Sequence, residues 1–139
     1  MKELFTPITN ETINTLNMGD MLYLSGTIIT ARDAAHKKLA DLIETREKLP
    51  FNFEGNAVFY AGPAPAKPGK PIGSVGPTTA GRMDLYSPLM ISKGLKVMIG
   101  KGLRSPQVMD AIIKFNGIYF AAIGGFYGKM RQIRQGNRF

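Results

Sequence analysis

Short apolar runs alternate with helical patterns along this chain. Four β-branched or apolar segments predict buried strands, at residues 21–31, 56–62, 95–102 and 118–125. Apolar spacing and cap signals predict helices between them, at residues 32–48, 78–93 and 105–117. Strands that alternate with helices are typical of an α/β domain with substantial parallel pairing. A length of 139 residues predicts a single domain over residues 1–139.

Individual residues predict where these helices begin and where one is interrupted. Thr30 can cap the first helix, with Asp33 three residues later completing a capping pair. Ser105 stands at the cap of the last helix, and the proline that follows it suits the first helical position. Pro88 should bend or split the helix predicted for residues 78–93.

The distribution of charge adds a functional signal to this pattern. The net charge is +8, and it is uneven: residues 1–54 carry 6 basic and 8 acidic residues, whereas residues 55–139 carry 12 and 2. The later part of the chain therefore supplies all of the positive field. Such a field concentrates anions, whether nucleic-acid phosphates, an acidic partner or small carboxylates, although solubility alone would also explain it.

The sequence predicts neither a membrane span nor cysteine chemistry. No apolar run approaches the roughly 20 residues that cross a bilayer, and residues 1–12 lack the hydrophobic block of a signal peptide. The chain has no cysteine, hence no disulfide and no thiolate ligand for a metal. We therefore expect a cytoplasmic protein with no membrane partner and no metal site of its own.

Four polar clusters follow the predicted strands or their turns directly. They are Arg32 and Asp33 with His36, the Pro/Lys loop at residues 63–73, Thr78 and Thr79 with Arg82, and Lys101 between two glycines. In open α/β sheets, ligands bind beyond the carboxyl ends of the strands. The pattern therefore predicts that the four clusters converge on one rim.

The segment GPTTAGR, residues 76–82, has the chemistry of an anion site. Thr78 and Thr79 stand where a helix is predicted to begin, and free backbone amides at such a position favour an anion. Arg82 can make a bidentate contact with a carboxylate or phosphate. A threonine cap beside a solvated arginine would give the same pattern without any binding function.

Two further clusters carry candidate chemistry. Arg32, Asp33 and His36 lie within one predicted helical turn, where an aspartate can fix the tautomer of an imidazole and stabilise its cation. A capping aspartate and a half-buried structural histidine are the alternative. Lys101 lacks the spacing of a nucleotide-triphosphate loop, which leaves it as a point charge for an anionic ligand or as a surface lysine in a turn.

A nucleic-acid interface is the other function that the basic residues could serve. It would need aromatic residues interleaved with basic ones on one face. The spacing of Phe126, Met130 and Ile133 is more typical of a docked amphipathic helix with a basic outer face. A basic binding module for nucleic acid or acidic partners therefore stays as the alternative from another functional class.

Five motifs occur in order over residues 3–125: GDMLYLSGTIITARDAAHKKL, VFYAGPAP, GSVGPTTAGRMD, GLKVMIGKG and YFAAIGG. Together they resemble the β subunit, or C-terminal region, of class I iron–sulfur fumarate hydratase. The β subunit of L(+)-tartrate dehydratase is similar in the same way. The resemblance implies a swivelling β/β/α domain, an α/β fold with a mixed sheet and flanking helices.

The resemblance also implies a function and a partner. The expected activity is that of a hydro-lyase that reversibly hydrates fumarate to malate, active only with its α subunit. That α subunit would hold a 4Fe-4S cluster, which accounts for the missing cysteines, and the expected assembly is an α2β2 hetero-oligomer. The resemblance favours fumarate and malate over tartrate as substrates. Tartrate has one hydroxyl more than malate, and none of the candidate residues is an evident partner for that hydroxyl.

The resemblance assigns expected roles to matching positions. Those that match substrate-binding positions are Arg32, Thr79, Arg82 and Lys101. Those that match catalytic positions are Thr78, His36 and Asp33. The choice of base between Thr78 and His36 stays open, and Asp33 would orient the local network. Family members continue beyond the two glycines at 124–125, so we expect this chain to be either shortened or incomplete.

Overall fold

The computed structural model of the chain describes residues 2–62, 64–70 and 73–122. Its strands are β1 (Lys2–Phe5), β2 (Leu22–Ser25), β3 (Ile28–Thr30), β4 (Ala57–Phe59), β5 (Val97–Gly100) and β6 (Ile118–Ala121). Its α-helices are α1 (Asn10–Asn14), α2 (Asp33–Glu44), α3 (Ser87–Ser92) and α4 (Pro106–Lys114), and a 3-10 turn covers Ala80–Met83. Within these ranges, no helix is both long enough and apolar enough to cross a membrane.

The described strands form two parallel sheets. β1 pairs with β2, and the other four strands lie in the order β3-β4-β5-β6, each parallel to its neighbour. Each connection within the larger sheet carries a helix, because parallel neighbours can be joined only by a crossover. The predicted α/β class with flanking helices is confirmed. A mixed sheet was expected, and within the described residues all of the strand pairs are parallel.

The two faces of the larger sheet are covered by different elements because side chains alternate along each strand. Val58 of β4 and Met98 of β5 point into the main core, which α2, α3 and α4 complete. Ala57, the neighbour of Val58, points the other way and belongs to a second core cluster that includes Ile13 of α1. Both faces of the larger sheet are thus covered by other elements of the chain.

The strand predicted for residues 21–31 is in fact two strands, which belong to different sheets. The break falls at Gly26, whose φ of +107° is unfavourable for residues with a side chain. A Cβ there would also collide with the side chain of Thr6. The apolar run is continuous in sequence, so this break had no hydrophobic signature.

Thr30 does not cap the first long helix, contrary to the sequence-based expectation. It is the last residue of β3 and is paired with Phe59 of β4. The N-cap position of α2 is Arg32, whose side chain makes no capping hydrogen bond. Thr30 is used in the pairing of β3 with β4, and it is therefore not available as the helix cap that the local spacing predicted.

Other helix predictions are confirmed. The element predicted for residues 78–93 is split into the 3-10 turn and α3, and Pro88 lies in the first turn of α3. Ser105 Oγ accepts a hydrogen bond from the Val108 amide at 3.3 Å and so caps α4. The strand predicted from residue 118 is β6, whereas the amphipathic helix predicted beyond residue 125 lies outside the described residues.

Sequence patterning missed β1 and α1. β1 is largely exposed, so alternation along it carries little apolar signal. α1 has only five residues, and its start is marked by Thr9, whose Oγ1 accepts a hydrogen bond from the Thr12 amide at 3.2 Å. A threonine cap before an isolated isoleucine was the available signal, and it is too short to establish a periodicity.

Candidate functional site

A cleft of about 370 Å³ opens at the carboxyl ends of β3 and β4. It is lined by Thr30, Ala31, Arg32, Asp33, Ala34, Ala35, Ala61, Gly62 and Arg82. Most of its lining residues are alanine or glycine, and its charged groups come from the start of α2 and from the 3-10 turn. This is the position at which an open α/β sheet places its ligands.

An ion pair joins two of the charged groups across the cleft. Nη2 of Arg82 donates to Oδ2 of Asp33, a residue 49 positions earlier in the chain. Both side chains are partly exposed, at 57% for Arg82 and 44% for Asp33, so the pair itself contributes little stability. A guanidinium has five donors, and this contact occupies one arm. The remainder of the Arg82 fork can therefore receive a carboxylate from solvent.

Arg32 supplies a second guanidinium to the cleft, and Gly62 makes room for it. A Cβ on Gly62 would overlap the guanidinium of Arg32, and no other group lies so close to that position. The side chain of Arg32 forms no hydrogen bond or ion pair with any residue that the structure describes. The Arg32 side chain thus lies against the backbone of Gly62, beyond the end of β4, and its donors are free for a ligand.

Thr78, Thr79 and Lys101 form an edge beside the cleft, held together by the backbone. The Thr78 amide donates to the Tyr60 carbonyl at 2.6 Å, which fastens the segment to the end of β4. Thr79 and Lys101 form an isolated parallel bridge, and the Ala80 amide donates to the Lys101 carbonyl at 2.8 Å. None of the three residues lines the cleft itself.

Two of the amides that could bind an anion at the start of the predicted helix are occupied instead. The Thr78 and Ala80 amides make the backbone bonds just described, and the helix is a four-residue 3-10 turn. Thr79 occupies its N-cap position, but its side chain makes no capping hydrogen bond. Within the described residues, the Thr78 and Thr79 hydroxyls have no hydrogen-bond partner. Their donors and acceptors are therefore available for a ligand, and capping does not explain the two threonines.

His36 lies beneath the site and is fully buried. Its Nδ1 is 2.8 Å from the carbonyl oxygen of Arg32, which makes Nδ1 the protonated nitrogen of the neutral ring. Its Nε2 is buried with no hydrogen-bond partner among the described residues. The ring packs edge-on against Tyr60, with Tyr86 on another side. The expected hydrogen bond between Asp33 and the imidazole is absent, because the Asp33 carboxylate is paired with Arg82.

Burial lowers the pKa of His36 below its ordinary value of 6.5, and the charge of Arg104 lowers this pKa further. The hydrogen bond to the Arg32 carbonyl and the charge of Asp33 oppose this shift. The uncharged rings of Tyr60 and Tyr86 cannot offset the loss of hydration. The imidazole is therefore neutral at pH 7, which means that protonating it favours the unfolded chain.

We expect the free energy of unfolding to decrease as the pH falls below about 6.5 and to be retained fully above that value. The unfolded chain binds the proton first, since its histidine has the higher pKa, and the slope approaches about 1.4 kcal/mol per pH unit. Urea unfolding between pH 7.5 and 5 measures this. His36 is the only histidine in the chain, so His36→Phe should flatten the dependence in this window. Equal slopes for the two proteins would contradict the assignment.

Sequence reasoning also missed a buried charged residue next to the site, Arg104. Its side chain is 1% exposed and pairs with Asp84, with Nε 2.8 Å from Oδ1. The available signal was the scarcity of acids, because Asp84 and Asp110 are the only carboxylate side chains after residue 54. A lone aspartate in a basic region is a candidate counter-ion, but its partner cannot be chosen from sequence.

The fold and the cleft define an α/β domain with parallel sheets whose strand ends carry two free arginine arms, with a lysine and two threonines on the adjoining edge. The chain belongs to the fumarase C-terminus family, whose pattern matches residues 2–135. The family resemblance read from the motifs is thereby confirmed.

Three relatives illustrate this membership. The anaerobic class I fumarate hydratase of Escherichia coli K12 is 45% identical over 126 residues, which cover 90% of this chain and 22% of that protein. The mitochondrial fumarate hydratase 1 of Leishmania major is 49% identical over 105 residues, covering 75% and 19%. The L(+)-tartrate dehydratase subunit beta of Escherichia coli K12 is 37% identical over 121 residues, covering 85% and 59%. The chain thus spans about a fifth of the length of these fumarate hydratases.

Proposed function

We propose that this chain is the β part of an iron–sulfur-dependent hydro-lyase that reversibly hydrates fumarate to malate. The observation that carries the proposal is the cleft at the ends of β3 and β4, where Arg32 and Arg82 both offer free guanidinium donors. A C4 dicarboxylate bears two negative charges close together, and such a ligand needs several fixed cations. Lys101, on the adjoining edge, supplies a third.

The proposed role of Arg82 and Arg32 is to bind and orient the carboxylates of the substrate. Loss of the proton next to a carboxylate places negative charge on that carboxylate in the transition state, where preorganised donors stabilise it most. Asp33 holds Arg82 over the cleft through the ion pair between them. In this proposal Asp33 is a positioning residue, and Thr79 lies beside the substrate with its hydroxyl free.

Thr78 is the better candidate for the proton-transfer step, which leaves His36 a positioning role. The Thr78 hydroxyl has no hydrogen-bond partner among the described residues, and its amide is fixed beside the cleft. Neither residue lines the cleft, but His36 is fully buried whereas Thr78 is partly exposed at the edge beside it. Its Nδ1 instead fastens the carbonyl of Arg32, so that the histidine orients the residue whose guanidinium meets the substrate.

The residues of this chain do not fit the iron–sulfur cluster that the family implies. A 4Fe-4S cluster is held by cysteine thiolates, and the sequence contains none. In the part of the chain that the structure describes, no group of three or more histidine and carboxylate side chains could hold a metal ion either. We therefore propose that an α subunit holds the cluster. An α2β2 assembly and a cytoplasmic location stay predictions.

The test is anaerobic reconstitution of this chain with an iron–sulfur α subunit. We expect fumarate and malate to interconvert only when both chains are present. Tartrate dehydration is the second candidate, because the chain spans 59% of the tartrate dehydratase β subunit. Comparing the specificity constants for malate and tartrate in one preparation decides between them. Absence of both activities, together with salt-sensitive binding of nucleic acid, would favour the basic binding module instead.

Arg82→Lys should lower kcat/KM of the reconstituted enzyme by about 10- to 150-fold, the equivalent of about 1.5–3 kcal/mol for a hydrogen bond to a charged group. Lysine keeps the charge but loses the planar fork that binds a carboxylate through two parallel bonds. The melting temperature should change little, since the ion pair with Asp33 is exposed. Steady-state kinetics and a thermal melt on the same preparation measure both quantities. Wild-type kinetics in this variant would remove Arg82 from the substrate site.

Gly62→Ala should weaken dicarboxylate binding by about 10- to 150-fold without unfolding the protein. The three atoms nearest to the new methyl group all belong to the end of the flexible Arg32 side chain, which can move away at low cost but then leaves the cleft. Gly76→Ala is the matched control, because a Cβ there meets nothing within 4 Å. Inhibition by a non-reactive C4 dicarboxylate measures the affinity. Equal inhibition constants for the two variants would exclude this role of Arg32.

A further inference from the structure

The buried guanidinium of Arg104 lies between the rings of two tyrosines. Its Cζ is 5.0 Å from the ring centre of Tyr60 and 4.8 Å from that of Tyr119. In addition to the Asp84 contact, Nη2 donates to Ser87 Oγ at 2.8 Å. Burial raises the pKa of both phenols, so the guanidinium meets neutral rings. A single carboxylate and two aromatic faces thus hold this cation away from solvent.

Both tyrosines are bonded to the backbone of the edge that carries Thr78 and Lys101. The carbonyl of Tyr60 accepts the Thr78 amide at 2.6 Å. The hydroxyl of Tyr119 donates to the Gly102 carbonyl at 3.0 Å, one residue beyond Lys101. The guanidinium thus contacts the rings of two residues that are each hydrogen-bonded to this edge, Tyr60 through its backbone carbonyl and Tyr119 through its hydroxyl.

The Arg82 side of the site is tied to the same group. Asp84, two residues after Arg82, binds Arg104 through Oδ1 and the Ser105 amide through Oδ2, the latter at 2.6 Å. Ser87 Oγ accepts from Arg104 and donates to the Met83 carbonyl at 2.9 Å, at the end of the 3-10 turn. Arg104 therefore contacts two residues that follow the turn carrying Arg82, namely Asp84 and Ser87.

We propose that Arg104 is a positioning residue of the hydro-lyase site, which aligns the Thr78–Lys101 edge with the Arg82 turn through its plane between Tyr60 and Tyr119. The inference rests on the proposed function. A buried charge pair is rarely the most stable core, since apolar groups of similar volume usually serve as well or better. What the guanidinium adds is a rigid plate with donors in its plane, which neither lysine nor an aliphatic side chain provides.

Arg104→Lys is the primary test, because lysine keeps the positive charge but lacks the planar guanidinium group. We expect kcat/KM of the reconstituted enzyme to fall by about 10- to 100-fold, with kcat affected as well as KM, since Thr78 and Lys101 both shift. The assay is run well below the melting temperature of the variant. Arg46→Lys is the control, because Arg46 is exposed beyond the end of α2 and its side chain contacts nothing in the site.

Hydrogen exchange on the isolated full chain provides a second measurement that needs no activity. In Arg104→Lys, the Thr78 and Ala80 amides should exchange about tenfold faster or more relative to wild type, while the Val58 amide in β4 stays protected. If Arg104→Lys fails to fold, the double variant Arg104→Met with Asp84→Asn removes the charge and its counter-ion together, and the same measurements apply.

The outcomes separate the two proposals. Unchanged exchange at Thr78 and Ala80 in a folded variant overturns the inference, as does unchanged kcat/KM in an enzyme whose wild type is active. Faster exchange at both amides, with lowered kcat and a normal Arg46→Lys control, supports it. A wild-type complex that does not hydrate fumarate overturns the proposed function, whereas the exchange measurement still decides whether Arg104 positions the edge.

Discussion

Replacing Thr78 with valine should lower kcat of the reconstituted enzyme by about 100-fold or more, the usual worth of a positioned proton-transfer group. Valine keeps the β-branched shape and removes only the hydroxyl. That hydroxyl has no hydrogen-bond partner in the described part of the chain, so the melting temperature should stay close to that of wild type. Turnover and thermal midpoint measured on one preparation test both halves of this expectation.

Thr27→Val is the matched control for this substitution. Thr27 is exposed between β2 and β3, and its side chain makes no hydrogen bond within the described residues. Its replacement should alter neither turnover nor the melting temperature. If Thr78→Val instead loses stability and keeps full activity per folded molecule, Thr78 has a structural role and the proton-transfer assignment fails.

Asp84→Ala should lower the free energy of unfolding by about 3–5 kcal/mol, the usual cost of leaving one member of a buried ion pair without its partner. The Arg104 side chain is 1% exposed and Asp84 is 14% exposed, so water cannot replace the lost carboxylate. The same change removes the acceptor of the Ser105 amide at the start of α4. Urea unfolding at pH 7 measures the difference.

Asp20→Ala provides the comparison with an exposed pair. Asp20 accepts a hydrogen bond from Lys2 Nζ at 2.8 Å, and this bond lowers the pKa of its carboxyl group. Both side chains are in contact with solvent, which screens the pair and compensates for its loss. The stability should therefore change little. A similar small change for Asp84→Ala would mean that Arg104 is not held by its carboxylate.

The sequence predicted the larger part of the fold because its signals are local. Parallel α/β organisation follows from apolar runs that alternate with helical spacing. The cap at Ser105 and the interruption near Pro88 depend only on neighbouring residues. The sequence did not predict the short β1 and α1, because few of their side chains are buried. The sequence also did not predict the break between β2 and β3 at Gly26, because this break depends on contact with Thr6, twenty positions away.

The sequence predicted which residues belong to the candidate site but not which of them contact one another. Arg32, Asp33 and Arg82 follow predicted strands, and the structure brings them to one cleft as the topology rule requires. Lys101 and Thr79 are indeed neighbours, although outside that cleft. Their roles in binding and catalysis stay predictions, as does the single domain over residues 1–139.

Sequence by itself determined most of the elements, the parallel α/β class, the basic later half and the family of this chain, since each depends on residue type and short-range spacing. Tertiary structure alone decided that Asp33 pairs with Arg82 rather than His36, and that His36 and Arg104 are buried. These outcomes depend on the distances between residues that crossover connections bring together and on which charged groups are removed from solvent. Neither quantity is encoded in the spacing of residues along the chain.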